Sequence, residues 1–241
     1  MPPREHVPVA NYTSLRIGGL ARWFVTVAST EEVRSALDFA QSRSIRWAVF
    51  GSGQSTQVAD DGFDGLVIQC LGTARQHLHA GSLVFAGDTL GQRGSVAVQA
   101  MHGQISTSAI AEYHWMNVQG SIQIVPSEQW AVGAYQQAPG ILLGIVPTQD
   151  IVVSPAGERP PLPSAQVFLP QDGKAASAMS DVGCAGKTLG KVQLWEQDPT
   201  WLMAKPGATA DEVVQLMSLV KQQVRDTLQI QLRDALSYLG M

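Results

Sequence analysis

The chain has 241 residues, 45% of them hydrophobic and 15% charged, with a formal net charge of -4. That length supports one large domain or two modest ones with real cores. The acidic balance and the lack of basic runs argue against nucleic acid or an anionic lipid surface as partner, and no apolar run is long enough for a membrane helix. Met1 to Ala10 carries Pro2, Pro3, Glu5 and Pro8 instead of an apolar signal core, so a cytoplasmic location is expected. Cys70 and Cys184 lie far apart and are expected as free, buried thiols.

Taken in chain order, Ala21 to Ala28 reads as a β-strand carrying Trp23, Phe24, Val25 and Val27. Thr30 is expected to cap a helix, because Glu31 and Glu32 suit its positive end. Val33, Ala36, Leu37 and Ala40 then give one apolar face at spacings of three and four. Ile45 to Phe50 reads as a buried strand that empties into Gly51-Ser52-Gly53-Gln54-Ser55-Thr56, and a second strand, Gly65 to Gln69, follows the turn from Asp60 to Asp64. A glycine-bearing loop at a strand's C-terminal end either cradles a pyrophosphate with its N–H groups or is a plain tight turn. It lacks the third glycine of a Rossmann fingerprint and the Gly-Lys-Ser/Thr ending of a P-loop. Further on, Val84 to Ala86, Ile122 to Val125 and Ile141 to Val146 read as strands, and Leu90 to Met101 as a helix. The proline-rich stretch Ser154 to Pro163 marks a boundary. The last helix carries the strongest signals: a capping box at Thr209 and Glu212, then a stripe of Val213, Leu216, Met217, Val220 and Val224.

The segment Asn11-Tyr12-Thr13-Ser14-Leu15-Arg16-Ile17-Gly18-Gly19 resembles the opening signature of the UDP-N-acetylenolpyruvoylglucosamine reductases. In that family a strand, a helix and a G-x-G-S-N flavin loop lead to D-D/x-G-F-x-G, and Asp60-Asp61-Gly62-Phe63-Asp64-Gly65 follows here in the same order. The resemblance resumes at Pro163-Ser164-Ala165, at Gly183 to Asp211 and at Leu232 to Gly240. It implies an α+β chain with a two-subdomain FAD-binding fold of vanillyl-alcohol-oxidase type plus a C-terminal α/β substrate domain. The corresponding spans are residues 1–70, 71–153 and 154–241. It also implies FAD contacts from Gly51, Ser52, Gly53, Gln54, Ser55 and Thr56, and from Asn117, Val118, Gly120 and Ser121. In the family NADPH reduces the flavin, which passes hydride to an enolpyruvyl sugar nucleotide.

The match then departs from the family at its chemistry. The I-P-G-T-V-G-G-A wall falls on Trp115 to Ile122 with one glycine kept, and bulk at Met116 and Gln119 would obstruct backbone approach to a pyrophosphate. Ala131 to Tyr135 echoes N-A-G-A-Y at altered spacing. Hydride addition to an enolpyruvyl group leaves a carbanion that a general acid must protonate. The family's serine for this step falls on Gln166, its lysine on Leu169 and its C-terminal glutamate on Ala235, with Asp234 adjacent. Trp195, Asp198 and Ala204 stand where the family tends to carry serine, histidine and asparagine, and the Y-R-x-S segment is missing.

Tyr135, Gln166 and Asp198 are therefore the candidate catalytic groups, although Tyr135 also suits a pocket rim and Asp198, with Glu196, a solvated loop. Trp115, Trp130, Trp195 and Trp201 suit either a core or a cleft remodelled for an apolar ligand. His77, His79, His102 and His114 lack metal-ligand spacing, so no metal site is expected. The resulting expectation is a FAD-binding relative repurposed for a hydrophobic small molecule, as a tailoring or cyclising enzyme, with NADPH involved only if reductase activity persists. An active reductase of peptidoglycan synthesis and a cofactor-free binding protein are the alternatives.

Overall fold

A computed structural model describes residues 2–51, 53–54, 56–71, 77–78, 81, 84–89, 109–117, 119–131, 140–152, 159–169 and 173–240. The expected helix at Leu90 to Met101 lies outside these residues, as do Ser52, Ser55, Val118 and Tyr135. The chain divides into two compact units, one of Met1–Val7, Ala21–Ser52 and Asp64–Ala156, the other of Pro8–Leu20, Gly53–Phe63 and Gly157–Met241.

The first unit contains two four-stranded sheets. β1 (Arg4–Pro8), β2 (Leu20–Val27), β3 (Trp47–Phe50) and β5 (Phe63–Cys70) form one, in the order β1-β2-β5-β3. β3 runs parallel to β5, with Trp47 opposite Leu66, and it opens at Trp47 instead of the expected Ile45. Helix α1 (Thr30–Ser42) connects β2 to β3 and buries Val33, Ala36, Leu37 and Ala40, the face that the spacing predicts. Its N-cap is Ser29, one residue before the expected Thr30. The Ser29 hydroxyl accepts from Glu32 N at 3.3 Å, and Glu32 Oε2 accepts from Ala28 N at 2.7 Å. Glutamate three residues after the cap selects Ser29 over Thr30.

The other sheet joins β7 (Val84–Thr89), β8 (Ile110–Asn117), β9 (Ile122–Pro126) and β10 (Gly140–Pro147) in the antiparallel order β7-β10-β8-β9. A short helix, α2 (Ser127–Ala131), follows β9, and β11 (Ile151–Val152) pairs with β6 (His77–Leu78). Met116, Ile141 and Leu143 from this sheet share one buried cluster with Val25, Leu37, Leu66, Ile68 and Cys70. Apolar contact of this extent makes the two sheets a single core.

The second unit is built on β12 (Ser164–Gln166), β13 (Thr188–Leu189), β14 (Val192–Leu194) and β15 (Trp201–Ala204), in the order β12-β15-β14-β13. Side chains alternate across a strand. Ala165, Val192, Leu194, Leu202 and Ala204 accordingly enter the core, while Gln166, Gln193, Trp201 and Met203 stay half-buried on the other face. The core is completed by α3 (Lys174–Asp181) and by α4 (Ala210–Leu228), whose Val213, Leu216, Met217, Val220 and Val224 are all buried. β16 (Ser237–Leu239) runs parallel to β4 (Thr56–Val58), tying the chain's last strand to the segment after the glycine loop. Both cysteines are buried thiols, and among the described residues no helix is long and apolar enough to cross a membrane.

Candidate functional site

The glycine loop follows β3 directly. Gly53 sits at φ 75°, and a Cβ added there would lie 2.0 Å from the carbonyl oxygen of Tyr12. Gly53 O also accepts from Ser14 N at 3.0 Å. The glycine is thus demanded by close packing of the loop against the Asn11–Gly19 segment, within the second unit. Gly62 behaves the same way: at φ 82°, its Cβ would meet Leu20 O at 2.1 Å. The N–H groups of Gly53 and Gln54 have no acceptor among the described residues, so this part of the loop retains the donors that an anionic group needs. Thr56 opens β4 and is buried. Gln57 beside it is 0% exposed. Its Nε2 donates to Val58 O, and its Oε1 has no partner among the described residues. With no accessible surface, Gln57 has no room for a ligand atom beside it.

The turn between β8 and β9 is closed on itself. Asn117 Oδ1 accepts from Gln119 N at 3.0 Å and from Ser121 N at 2.9 Å, and Asn117 O accepts from Gly120 N at 3.0 Å. Three successive backbone donors, the N–H groups of Gln119, Gly120 and Ser121, are used within the turn. The Arg34 guanidinium also reaches the turn, donating to Gly120 O at 3.3 Å. Met116 does not obstruct this turn as the sequence suggested. It is 0% exposed and packs into the first unit's core, because its position in β8 turns it inward. Gln119 is exposed.

In the second unit Ala235 N donates to Val167 O at 2.9 Å, and Leu169 N to Arg233 O at 2.9 Å, so the segment after α4 lies along the residues that directly follow Gln166 and β12. Ala235 is 5% exposed. Neighbouring Asp234 is 8% exposed and is ion-paired to Lys221 of α4 at 2.5 Å. Gln166 Nε2 donates to Thr200 Oγ1 through a long 3.5 Å contact, and Thr200 Oγ1 donates to Asp198 Oδ1 at 2.6 Å. Two of the three candidate catalytic residues are therefore linked through a residue the sequence reading overlooked. The available signal was Asp198-Pro199-Thr200, a carboxylate two residues before a hydroxyl, which is the spacing of a side-chain-closed turn. Trp201 is the cross-strand partner of Gln166, and the Arg159 guanidinium lies 5.8 Å from its ring centroid. Leu169, at the lysine position, sits half-buried in the segment after β12.

Residues 126–239 match a family model described as the C-terminal domain of UDP-N-acetylenolpyruvoylglucosamine reductase. The chain is 22% identical to the reductase of Bacillus subtilis (strain 168), across 97% of this chain and 92% of that protein. It is 25% identical to the reductase of Clostridium botulinum (strain 657 / Type Ba4), across 97% and 91%. The crystal structure of the Thermus caldophilus reductase superposes with a TM-score of 0.64 at 19% identity, covering 99% of this chain and 100% of that one. The chain is thus similar to UDP-N-acetylenolpyruvoylglucosamine reductases over nearly its whole length, and its C-terminal part matches their C-terminal domain. The α+β architecture expected from the resemblance is observed, and the fold is that of the Thermus caldophilus reductase.

Proposed function

We propose that this protein is a flavin-binding member of the family whose chemistry has moved from enolpyruvyl reduction to a hydrophobic small molecule, as a tailoring or cyclising enzyme. One observation carries the reading: where the family's two proton-handling side chains fall, this chain places an amide and a methyl group. Gln166 is tied to Thr200 and has no proton to release near neutral pH. Ala235 is buried, and the carboxylate beside it is held by Lys221. Losing a positioned proton donor slows a reaction that needs one by about 10²–10⁴. Around Gln166, the half-buried Trp195, Trp201 and Met203 suit an apolar body better than a diphosphate.

FAD is the cofactor this reading requires. The loop Gly51 to Thr56 would hold it, and the N–H groups of Gly53 and Gln54, which have no acceptor among the described residues, would be the donors for its anionic part; when bound, the flavin supplies hydride or electron transfer at its ring. A second reading, an active NADPH-dependent reductase, draws support from the alignment with known reductases over nearly the whole of both chains. Either reading expects FAD in the supernatant when the purified protein is denatured and its ligand separated by chromatography. A protein that releases no flavin, and whose melting temperature does not rise with added FAD, would contradict both and favour a cofactor-free binding role.

A further inference from the structure

Thr200 settles which way the Gln166 amide faces. A threonine hydroxyl has one hydrogen, and the 2.6 Å contact to Asp198 Oδ1 takes it, because a carboxylate only accepts. Asp198 Oδ1 also accepts from Thr200 N at 3.0 Å, so the turn holds the carboxylate in place. Thr200 Oγ1 is left as an acceptor, and the Gln166 atom facing it must be the donor, Nε2. The carbonyl oxygen Oε1 of Gln166 then faces away from Thr200. Gln166 is half-buried, while its partner Thr200 is 1% exposed. Trp201, opposite Gln166 in the sheet register, presents its half-buried ring on the same face.

We infer that Gln166 determines specificity at this face: held by Thr200 and Asp198 as positioning residues, it offers a hydrogen-bond acceptor beside an aromatic ring and so selects a neutral ligand that carries a hydroxyl or N–H donor next to an apolar or aromatic body. An oxyanion is disfavoured at the Gln166 oxygen itself, since two acceptors facing one another repel and stay unpaired; the Arg159 guanidinium, 5.8 Å from the Trp201 ring centroid, is the competing cation, and the anionic probe below decides between them. The inference rests on the reading that this face meets a small hydrophobic molecule, and it deepens that reading by naming the ligand's polar group.

The test uses the whole protein uniformly labelled with ¹⁵N and ¹³C and matched probes: indole, which donates through N–H; 1-methylindole, which does not; and indole-3-carboxylate, an anion. Titration followed by NMR should move the Gln166 side-chain amide and the Thr200 and Trp201 backbone signals. Indole should bind roughly fivefold to tenfold more tightly than 1-methylindole, the worth of one neutral hydrogen bond. Gln166→Leu should remove that preference, Thr200→Val should reduce it by freeing the amide to flip, and Thr200→Ser should restore it. One Gln166 amide proton should also show a contact to the Thr200 methyl in the wild type. Equal binding of 1-methylindole, tighter binding of the carboxylate, or no indole-induced shift at Gln166 would each overturn the assignment. Flavin content is read separately: a colourless protein that still discriminates indole loses the flavin reading and keeps the Gln166 role, and a yellow one that does not discriminate does the reverse.

Discussion

Single residues divide here into those fixed by packing and those released for chemistry. Gly53 and Gly183 have nearly the same left-handed backbone, φ 75° and 73°, yet a Cβ on Gly53 meets Tyr12 O at 2.0 Å and one on Gly183 meets nothing within 4 Å. Gly183→Ala should therefore cost about 1–2 kcal/mol from backbone strain alone. Gly53→Ala should cost about 3 kcal/mol or more, since the clash adds to that strain. Urea unfolding of both variants separates the two terms. Gln57 is the reverse case, a fully buried amide whose Oε1 lacks a partner among the described residues. Replacing an incompletely satisfied buried polar group by an apolar one of similar shape is close to neutral or stabilising. Gln57→Leu should thus leave the unfolding midpoint unchanged or raise it, and a clear fall would show that Oε1 has a partner after all. The importance of Gly53 was legible in the sequence, through its motif, but the cause was not: the contact that demands it lies some forty residues earlier in the chain. Met116 was misjudged for a related reason, because bulk at a position does not reveal which face of a strand it occupies.

Among the elements, α4 was the most legible, because its determinants are local. Its capping box forms as the Thr209 and Glu212 spacing predicts, with the Thr209 hydroxyl accepting from Glu212 N at 3.2 Å and Glu212 Oε2 accepting from Thr209 N at 3.0 Å. The sequence gives no hint of its other cap. Both carboxylate oxygens of Asp60 lie 2.9 Å from Ala210 N, 150 residues away, so the segment after the glycine loop is clamped to the helix start by charge and hydrogen bond together. Thr209→Ala and Asp60→Ala should each destabilise by about 1–2 kcal/mol. Because both act on one helix turn, the double variant should fall short of or exceed the sum by about 0.5 kcal/mol or more, measurable in a double-mutant cycle. In the other unit, burial on β8 pushes the Tyr113 hydroxyl up to about 12 from its ordinary 10.0. Between those values the unfolded chain gives up the proton and the folded chain keeps it. The stability contributed is therefore whole below pH 10.0 and is lost as pH rises toward about 12, by at most about 2–3 kcal/mol. Tyr113→Phe should flatten this alkaline loss in urea melts taken from pH 9 to about 12.

At the scale of the whole molecule, the family and fold were readable because their signatures are contiguous: the Asn11–Gly19 opening, the glycine loop with Asp60–Gly65, and the helix beginning at Ala210. The candidate site was only partly readable. The chain after α4 lies along residues 167–169, which places Ala235 beside Val167, the neighbour of Gln166, a pairing that local spacing does not reveal. Thr200, which bonds Gln166, was only half legible: the Asp198-Pro199-Thr200 spacing announces a side-chain-closed turn, but not that the turn packs against a residue 34 positions earlier. The account's central claim is that a flavin-binding framework persists here while its proton delivery has been replaced. Its most direct test is anaerobic. The FAD-loaded protein is reduced, chemically if NADPH does not suffice, and the flavin spectrum is followed after adding UDP-N-acetylenolpyruvoylglucosamine. The account predicts that the flavin stays reduced on the timescale of catalysis. Prompt reoxidation, with UDP-N-acetylmuramate formed in equal amount, would contradict it.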